Sequence, residues 1–389
     1  RDAVPVYLPP AGSNSGRTIS IVPSTYPIRL ESSVGELSGG DWAIVSESLD
    51  MISNQGVWRP FGDAAQIGVR GKIKDIWPGS GSSSPNHFME VNGTLFFSAN
   101  NETNGTELWK SDGTEAGTVR VKDIRPGSNS SSPSNFVEVN GTLFFAANDG
   151  SKGTELWKSD GTEAGTTIVK DIRTGSSSSS LSYLTIMNDH FYFRAHDGSR
   201  GYELWKSDGT EAGTVLVKDI QTGSGSSSPN YLTEVNGTLY FSANDGTHSS
   251  ELWKSDGTEA GTTMVKDINP GSSSSSLNSL TDVNGTLFFR ASDGSTGYEL
   301  WKSDGTQAGT SLVKDIWPNS SSSSPNNFIA VNGTLFFSAN DGLTGTELWK
   351  SDGTQAGTVL AKEIYFGKRA DFYFDMSISA NSSSPSNVT

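Results

Sequence analysis

Residues 154–166 read TELWKSDGTEAGT, and this stretch decides the fold because nearly the same letters return five more times. Its tryptophan stands at positions 109, 157, 205, 253, 301 and 349, a spacing of 48 residues without slippage. Self-similarity at a period of roughly 20–50 residues marks architectures that repeat one supersecondary unit. Around each tryptophan the unit adds a serine-rich run, an aromatic pair such as Phe144-Phe145, an Asn-Asp-Gly turn and a closing Val-Lys-Asp-Ile.

One unit, from Phe136 to Ile172, reads as four strands. Phe136 to Val139 is the first, and Asn140-Gly141 is the dipeptide that favours a type I′ hairpin turn. Thr142 to Ala147, rich in β-branched and aromatic residues, is the second and stops at Asn148-Asp149-Gly150. Thr154 to Ser159 is the third, Asp160-Gly161 opens the next hairpin, and Thr167 to Ile172 completes the sheet. No segment has a helical period or a helix-start signal of useful length. Four antiparallel strands per unit of this size predict an all-β β-propeller, one blade per repeat. Leu143 and Phe145 fall on one face and Phe144 on the other, as expected of a blade covered on both sides.

Six repeats run from about residue 88 to 364 within a propeller placed at 41–379. A seventh, composite blade is expected from residues 41–76 and 370–379. Asp41 to Leu49, Gly56-Val57-Trp58 and Lys72 to Ile76 would be its second to fourth strands, and Asp371 to Ile378 its first. Such closure removes exposed sheet edges. Seven blades are therefore favoured over six. Residues 1–40, broken by Pro5, Pro9, Pro10, Pro23 and Pro27, form an N-terminal extension that could dock as an assembly arm, and 380–389 form a Ser-rich tail.

The composition fits this reading. Only 33% of the 389 residues are hydrophobic, but 18 Phe, 10 Tyr and 10 Trp are more aromatics than a disordered chain carries. The 44 glycines belong to many tight turns. A net charge of −15 opposes nucleic acid as a partner, no stretch is apolar enough to span a membrane, and the absence of cysteine removes disulfides and thiolate chemistry. The chain opens at Arg1 rather than Met, as it would after removal of a signal segment; a trimmed chain would read the same.

The repeated residues supply the candidate sites. Trp109, Trp157, Trp205, Trp253, Trp301 and Trp349 read first as structural core and second as sugar-stacking platforms. Glu107, Glu155, Glu203, Glu251, Glu299 and Glu347 precede Leu-Trp in every copy. Asp123, Asp171, Asp219, Asp267 and Asp315 follow lysine near the end of the last strand. Together they suggest an inter-strand or inter-blade polar network of ion pairs or turn caps, because buried carboxylates need partners. Asp149, Asp197, Asp245, Asp293 and Asp341 concentrate oxygen ligands in turns and are the calcium candidates, although no copy has EF-hand spacing. Ser176 and Ser272 represent serine runs open to O-glycosylation, and Asn140 and Asn236 match the N-glycosylation acceptor while already explained as turn residues. His87, His190, His196 and His248 never repeat, and no nucleophile elbow or phosphate loop is present, so no catalytic residue is assigned.

With NGTLFF and ANDG around it, the ELWKSDGTEAGT block resembles the bacterial ELWxxDGTxxGT repeat family, sometimes labelled hyalin-like, over about residues 70 to 365. The resemblance implies an extracellular or cell-surface propeller. On this reading the chain is expected to be a non-catalytic structural or adhesive subunit of a surface appendage, self-associating through its N-terminal arm. A multivalent lectin binding glycans, weak at each site but strengthened by avidity, is the second expectation, and a virion appendage or receptor-binding protein the third.

Overall fold

The computed structural model of the protein describes residues 73–362 in full and, before them, the backbone of six short strands. Val4–Leu8 pairs parallel with Ile28–Ser32, which pairs antiparallel with Gly35–Glu36. Ala43–Ile44, Met51–Ser53 and Gly56–Trp58 form a separate antiparallel sheet. The chain divides into two compact units, Arg1–Asp75 with Gly113–Thr118, and Ile76–Asp112 with Val119–Thr389.

From Asn86 to Lys362 the second unit is built on six four-stranded antiparallel sheets in strict sequence order. Blade 2 is typical, with strands Ser134–Val139, Thr142–Asn148, Thr154–Ser159 and Thr167–Lys170. The last strand ends two residues before the sequence suggests. The reason is local, because the amide of Ile172 turns away to donate to the Glu155 carboxylate at 2.9 Å. First strands of successive blades touch one another, so the sheets share an innermost edge in the manner of a propeller.

The alternation predicted for the second strand produces the core. Phe96, Leu108, Val121 and Ile124 of blade 1 meet Leu143, Phe145, Ala147 and Trp157 of blade 2, and corresponding residues fill the interfaces between later blades. Leu and Trp of each Glu-Leu-Trp block leave opposite faces of one strand, so each block from blade 2 to blade 5 contributes to two interfaces. Lysine stems reinforce the junctions. Lys206 Nζ donates to the carbonyl of Gly257 at 2.9 Å and Lys218 Nζ to that of Thr262 at 2.8 Å, a pattern repeated between the other neighbouring blades.

The expected seventh, composite blade is corrected. Ala43–Ile44, Met51–Ser53 and Gly56–Trp58 pair with one another, Ile73 to Ile76 carry no strand, and the described blades number six. The register explains why Ile73 to Ile76 does not form the end of a fourth strand. Lys170 pairs with Leu156, fourteen residues earlier, so Lys74 would need to pair with residue 60, which is a proline. Proline has no amide hydrogen to offer a ladder. Lys74 nevertheless donates to the Glu115 carbonyl at 3.3 Å, as Lys122 does to Glu163 one repeat later. Asp371 to Ile378, the bulk of the arm and the tail 380–389 lie outside the described residues.

In five of the six blades the hairpin between first and second strands turns through an Asn-Gly pair with positive φ at both residues, 50° at Asn236 and 76° at Gly237, whereas blade 3 has Asn188-Asp189 with positive φ at the asparagine alone. A Cβ built on Gly237 meets nothing within 4 Å, so only backbone strain opposes a side chain there. Gly237→Ala is therefore expected to lower stability by about 1 kcal/mol. Equilibrium urea unfolding measures it, and an unchanged midpoint would contradict the turn assignment.

Candidate binding surface on the inner strands

The repeated carboxylates form the best-defined polar arrangement. Glu107, Glu155, Glu203, Glu251, Glu299 and Glu347 are completely buried. Glu203 accepts hydrogen bonds from the amides of Ile220 at 3.0 Å and Ser227 at 2.8 Å, and from the Ser227 hydroxyl at 2.5 Å. Glu107 and Glu299 have the same three donors, and Glu155 and Glu251 the same pair of amides. Each of these five glutamates thus ties its strand to the end of the fourth strand and to the loop that leads to the next blade. Burial pushes Glu107, Glu155, Glu203, Glu251 and Glu299 up to about 7, against the pull of the donors.

The serine partner escapes sequence reading. Ser131, Ser179, Ser227, Ser275 and Ser323 are buried within runs whose other members are exposed or half-buried, so composition gives no sign of the one that anchors the loop. Ser176 and Ser272, the glycosylation candidates, are exposed. Asn140 and Asn236 occupy the hairpin turns at φ 50°.

Ion pairs contribute little to this network. Asp123 accepts from Asn104 Nδ2 at 2.6 Å and lies 3.5 Å from Arg120, and Asp219 lies 4.0 Å from Arg200. Asp171, Asp267 and Asp315 stand at the matching positions, and in all five one carboxylate oxygen is buried without a partner among the described residues. The six tryptophans are 5–6% exposed, placed in the core rather than on a stacking surface.

The calcium candidates are engaged in their own turns. Asp149, Asp197, Asp245, Asp293 and Asp341 each accept amide hydrogens from the second and third following residues through one oxygen. These bonds hold the carboxyls below the usual range despite partial burial. Among the described residues no group of three or more histidines or carboxylates is arranged for a metal ion. Of the histidines, His196 Nδ1 accepts from the Gly198 amide at 2.6 Å, the task of asparagine in blade 2. His248 lies 2.9 Å from Asp245, which pushes its pKa up.

The repeats diverge at the start of the innermost strand. Every blade has a bulge there, seen in blade 2 as a register shift between Ser134 and Val137. It holds His87, Asn135, Tyr183, Tyr231, Ser279 and Asn327 at φ of 54–59°. Bulges re-aim side chains, and a tyrosine at positive φ is a strained choice. All except Ser279 are exposed, with Tyr183 at 42% and Tyr231 at 44%. The backbone device repeats, whereas the side chain it presents changes. The sequence contains this contrast, but it becomes visible only once the bulge identifies which position projects.

Two arginines stand behind this rim, on the second strands of blades 3 and 5. Arg194 lies 4.9 Å from the Tyr183 ring centroid and 5.2 Å from that of Tyr202, and its Nη1 donates to Asn230 of blade 4 at 2.8 Å. Arg290 lies 4.6 Å from the Tyr298 ring centroid.

No family model matches the chain, and no curated relative does. Similar solved structures exist for the fold. A puromycin hydrolase matches 73% of this chain and 54% of its own at 11% identity and a TM-score of 0.40. A puromycin-hydrolyzing peptidase of Mycobacterium tuberculosis matches 74% of this chain and 49% of its own at 10% identity, with a TM-score of 0.40. The β-propeller domain of the trilobed protease from Pyrococcus furiosus matches 70% of this chain and 84% of that one at 9% identity, with a TM-score of 0.42. The chain spans about half the length of the puromycin hydrolases. The six consecutive four-stranded sheets make the class a β-propeller. The expected structural or adhesive appendage subunit, with its lectin and virion alternatives, is corrected at this point, since the matched solved structures are peptidases and a protease propeller domain.

Proposed function

We propose that this propeller is a non-catalytic accessory module that binds extended peptide segments at the rim of its inner strands. The β-propeller of the trilobed protease is one domain of a peptidase, and an accessory role beside a hydrolytic domain is what this reading assigns here. The observation that carries it is the bulge. Its backbone is constant through six blades while the residue it presents varies through His87, Asn135, Tyr183, Tyr231, Ser279 and Asn327, all but Ser279 exposed. A purely structural bulge would gain from glycine at positive φ, yet two blades hold tyrosine there. Tyrosines offer large contact area with few rotatable bonds, and asparagines can bond a peptide backbone.

The bulge supplies its own test. Tyr183→Gly and Tyr231→Gly remove the side chains while relieving the backbone, so the double variant should be at least as stable as the parent. Fluorescence anisotropy with a library of labelled, blocked heptapeptides should detect binding to the parent and a loss of about tenfold or more in the double variant. Absence of binding to the parent, or equal binding by both proteins, overturns the reading.

A further inference from the structure

Arg194 and Arg290 are departures from an otherwise faithful repeat. The matching positions in the other blades hold Ser98, Ala146, Ser242 and Ser338, all nearly inaccessible, so packing of a blade does not require a long cation there. Each arginine also comes with a second change. The residue before Glu-Leu-Trp is tyrosine in blades 3 and 5, Tyr202 and Tyr298, and threonine or serine in the remainder, Thr106, Thr154, Ser250 and Thr346. Arginine and tyrosine thus arrive together, twice, and in both cases the guanidinium lies against the ring.

Neither guanidinium has a carboxylate within ion-pair distance among the described residues, although the chain has 43 acidic residues against 28 basic ones. In both, Nε is buried with no acceptor. The Arg290 guanidinium makes no hydrogen bond among the described residues, and its contact is the Tyr298 ring. Leaving a charged donor buried without an acceptor costs more than the roughly 1–3 kcal/mol of a neutral group. Stacking an arginine on an aromatic ring fixes the plane of its fork and leaves the in-plane N–H groups directed outward, the geometry that accepts a carboxylate through two parallel hydrogen bonds.

From this geometry we infer that blades 3 and 5 each hold a carboxylate-binding subsite, Arg194 with Tyr183 and Tyr202, and Arg290 with Tyr298. The inference rests on the peptide-binding reading for its ligand and narrows it to peptides carrying a carboxylate, on a side chain or at the C-terminus. A bound carboxylate would satisfy the fork and neutralise its charge, while the tyrosine ring packs against the neighbouring part of the peptide.

Arg290→Gln is the cleaner variant because it breaks no hydrogen bond, whereas Arg194→Gln also releases Asn230. Three labelled peptides separate the sources of the carboxylate: a blocked peptide with one central glutamate, its glutamine analogue, and the glutamine peptide with a free C-terminus. Against the parent protein, one of the two carboxylate peptides is expected to bind at least about tenfold more tightly than the blocked glutamine peptide, and the preferred one reveals the source. Arg290→Gln and Arg194→Gln together should reduce that preference to within about twofold, with the thermal midpoint measured on each variant to confirm folding. Equal binding of all three peptides by the parent, or a preference that survives in the folded double variant, overturns the inference and leaves peptide binding intact. If no peptide binds, the reading beneath it falls as well.

Discussion

Between about pH 5 and pH 8 the propeller is expected to lose stability, a fall on the order of 10 °C in Tm measured at constant ionic strength. The cause is the row of buried glutamates. In Glu107, Glu155, Glu203, Glu251 and Glu299 burial lifts the carboxyl from 4.5 to about 7, so between those values the folded chain holds protons that the unfolded chain has released. The slope of unfolding free energy with pH follows protons bound by the unfolded chain minus those bound by the folded one, and that difference is negative here. Stability from this source is complete below pH 4.5 and lost as pH rises through about 7. The turn aspartates act in the opposite sense. Asp149, Asp197, Asp245, Asp293 and Asp341 are held below 3.8 by their amide donors, so their contribution is present above that value and lost as pH falls through the lowered range. Maximum stability should therefore lie near pH 4–5. Potentiometric difference titration of folded and urea-unfolded protein near pH 6 should show uptake of up to five protons on folding, one per glutamate. Proton release on folding in that range would contradict the burial assigned to these groups.

The fold was legible because its determinants are local and written six times. Asn140-Gly141 announces a hairpin, the alternation of Leu143, Phe144 and Phe145 announces a sheet covered on both faces, and the constant spacing of the tryptophans announces blades. The seventh blade misled because Gly71 to Ile76 preserves the letters of a fourth strand. The strand depends on a partner fourteen residues earlier, where proline stands. The candidate sites were less legible for two physical reasons. An acidic residue next to Leu-Trp suggests a charge partner, yet Glu203 is held by Ile220 and Ser227, whose backbone amides are the same in any residue and leave no compositional trace. The inner rim was obscured because repeat reading rewards constant positions, whereas the residues that distinguish one blade from another are Tyr183, Tyr231, Arg194 and Arg290. A tally of matches treats those as noise. The bulge, which turns two positions out of register, is a property of pairing between strands and becomes evident only in the sheet.

Glu203→Ala should destabilise the propeller by about 3–5 kcal/mol, among the largest effects available to a single polar substitution. The change removes the acceptor for three donors at once, the amides of Ile220 and Ser227 and the Ser227 hydroxyl, all inside the protein. Water could rescue some of them if the site opened, but opening would detach the loop between blades 3 and 4 from the third strand that it braces. Glu203→Gln separates the contributions. Its carbonyl oxygen retains one acceptor, whereas its amide group turns a donor toward a donor, so a loss smaller than that of alanine but well above zero is expected. The glutamine variant also cannot titrate, and its proton uptake near pH 6 should fall short of the parent's by about one proton. Hydrogen exchange supplies the spatial check, because lost protection should concentrate at Ile220, Ser227 and the neighbouring ends of blades 3 and 4 while blade 6 retains its protection. An alanine variant with an unchanged urea midpoint would mean that the carboxylate does not bear on the fold, and the same would then be expected at Glu107, Glu155, Glu251 and Glu299, where the equivalent amides converge.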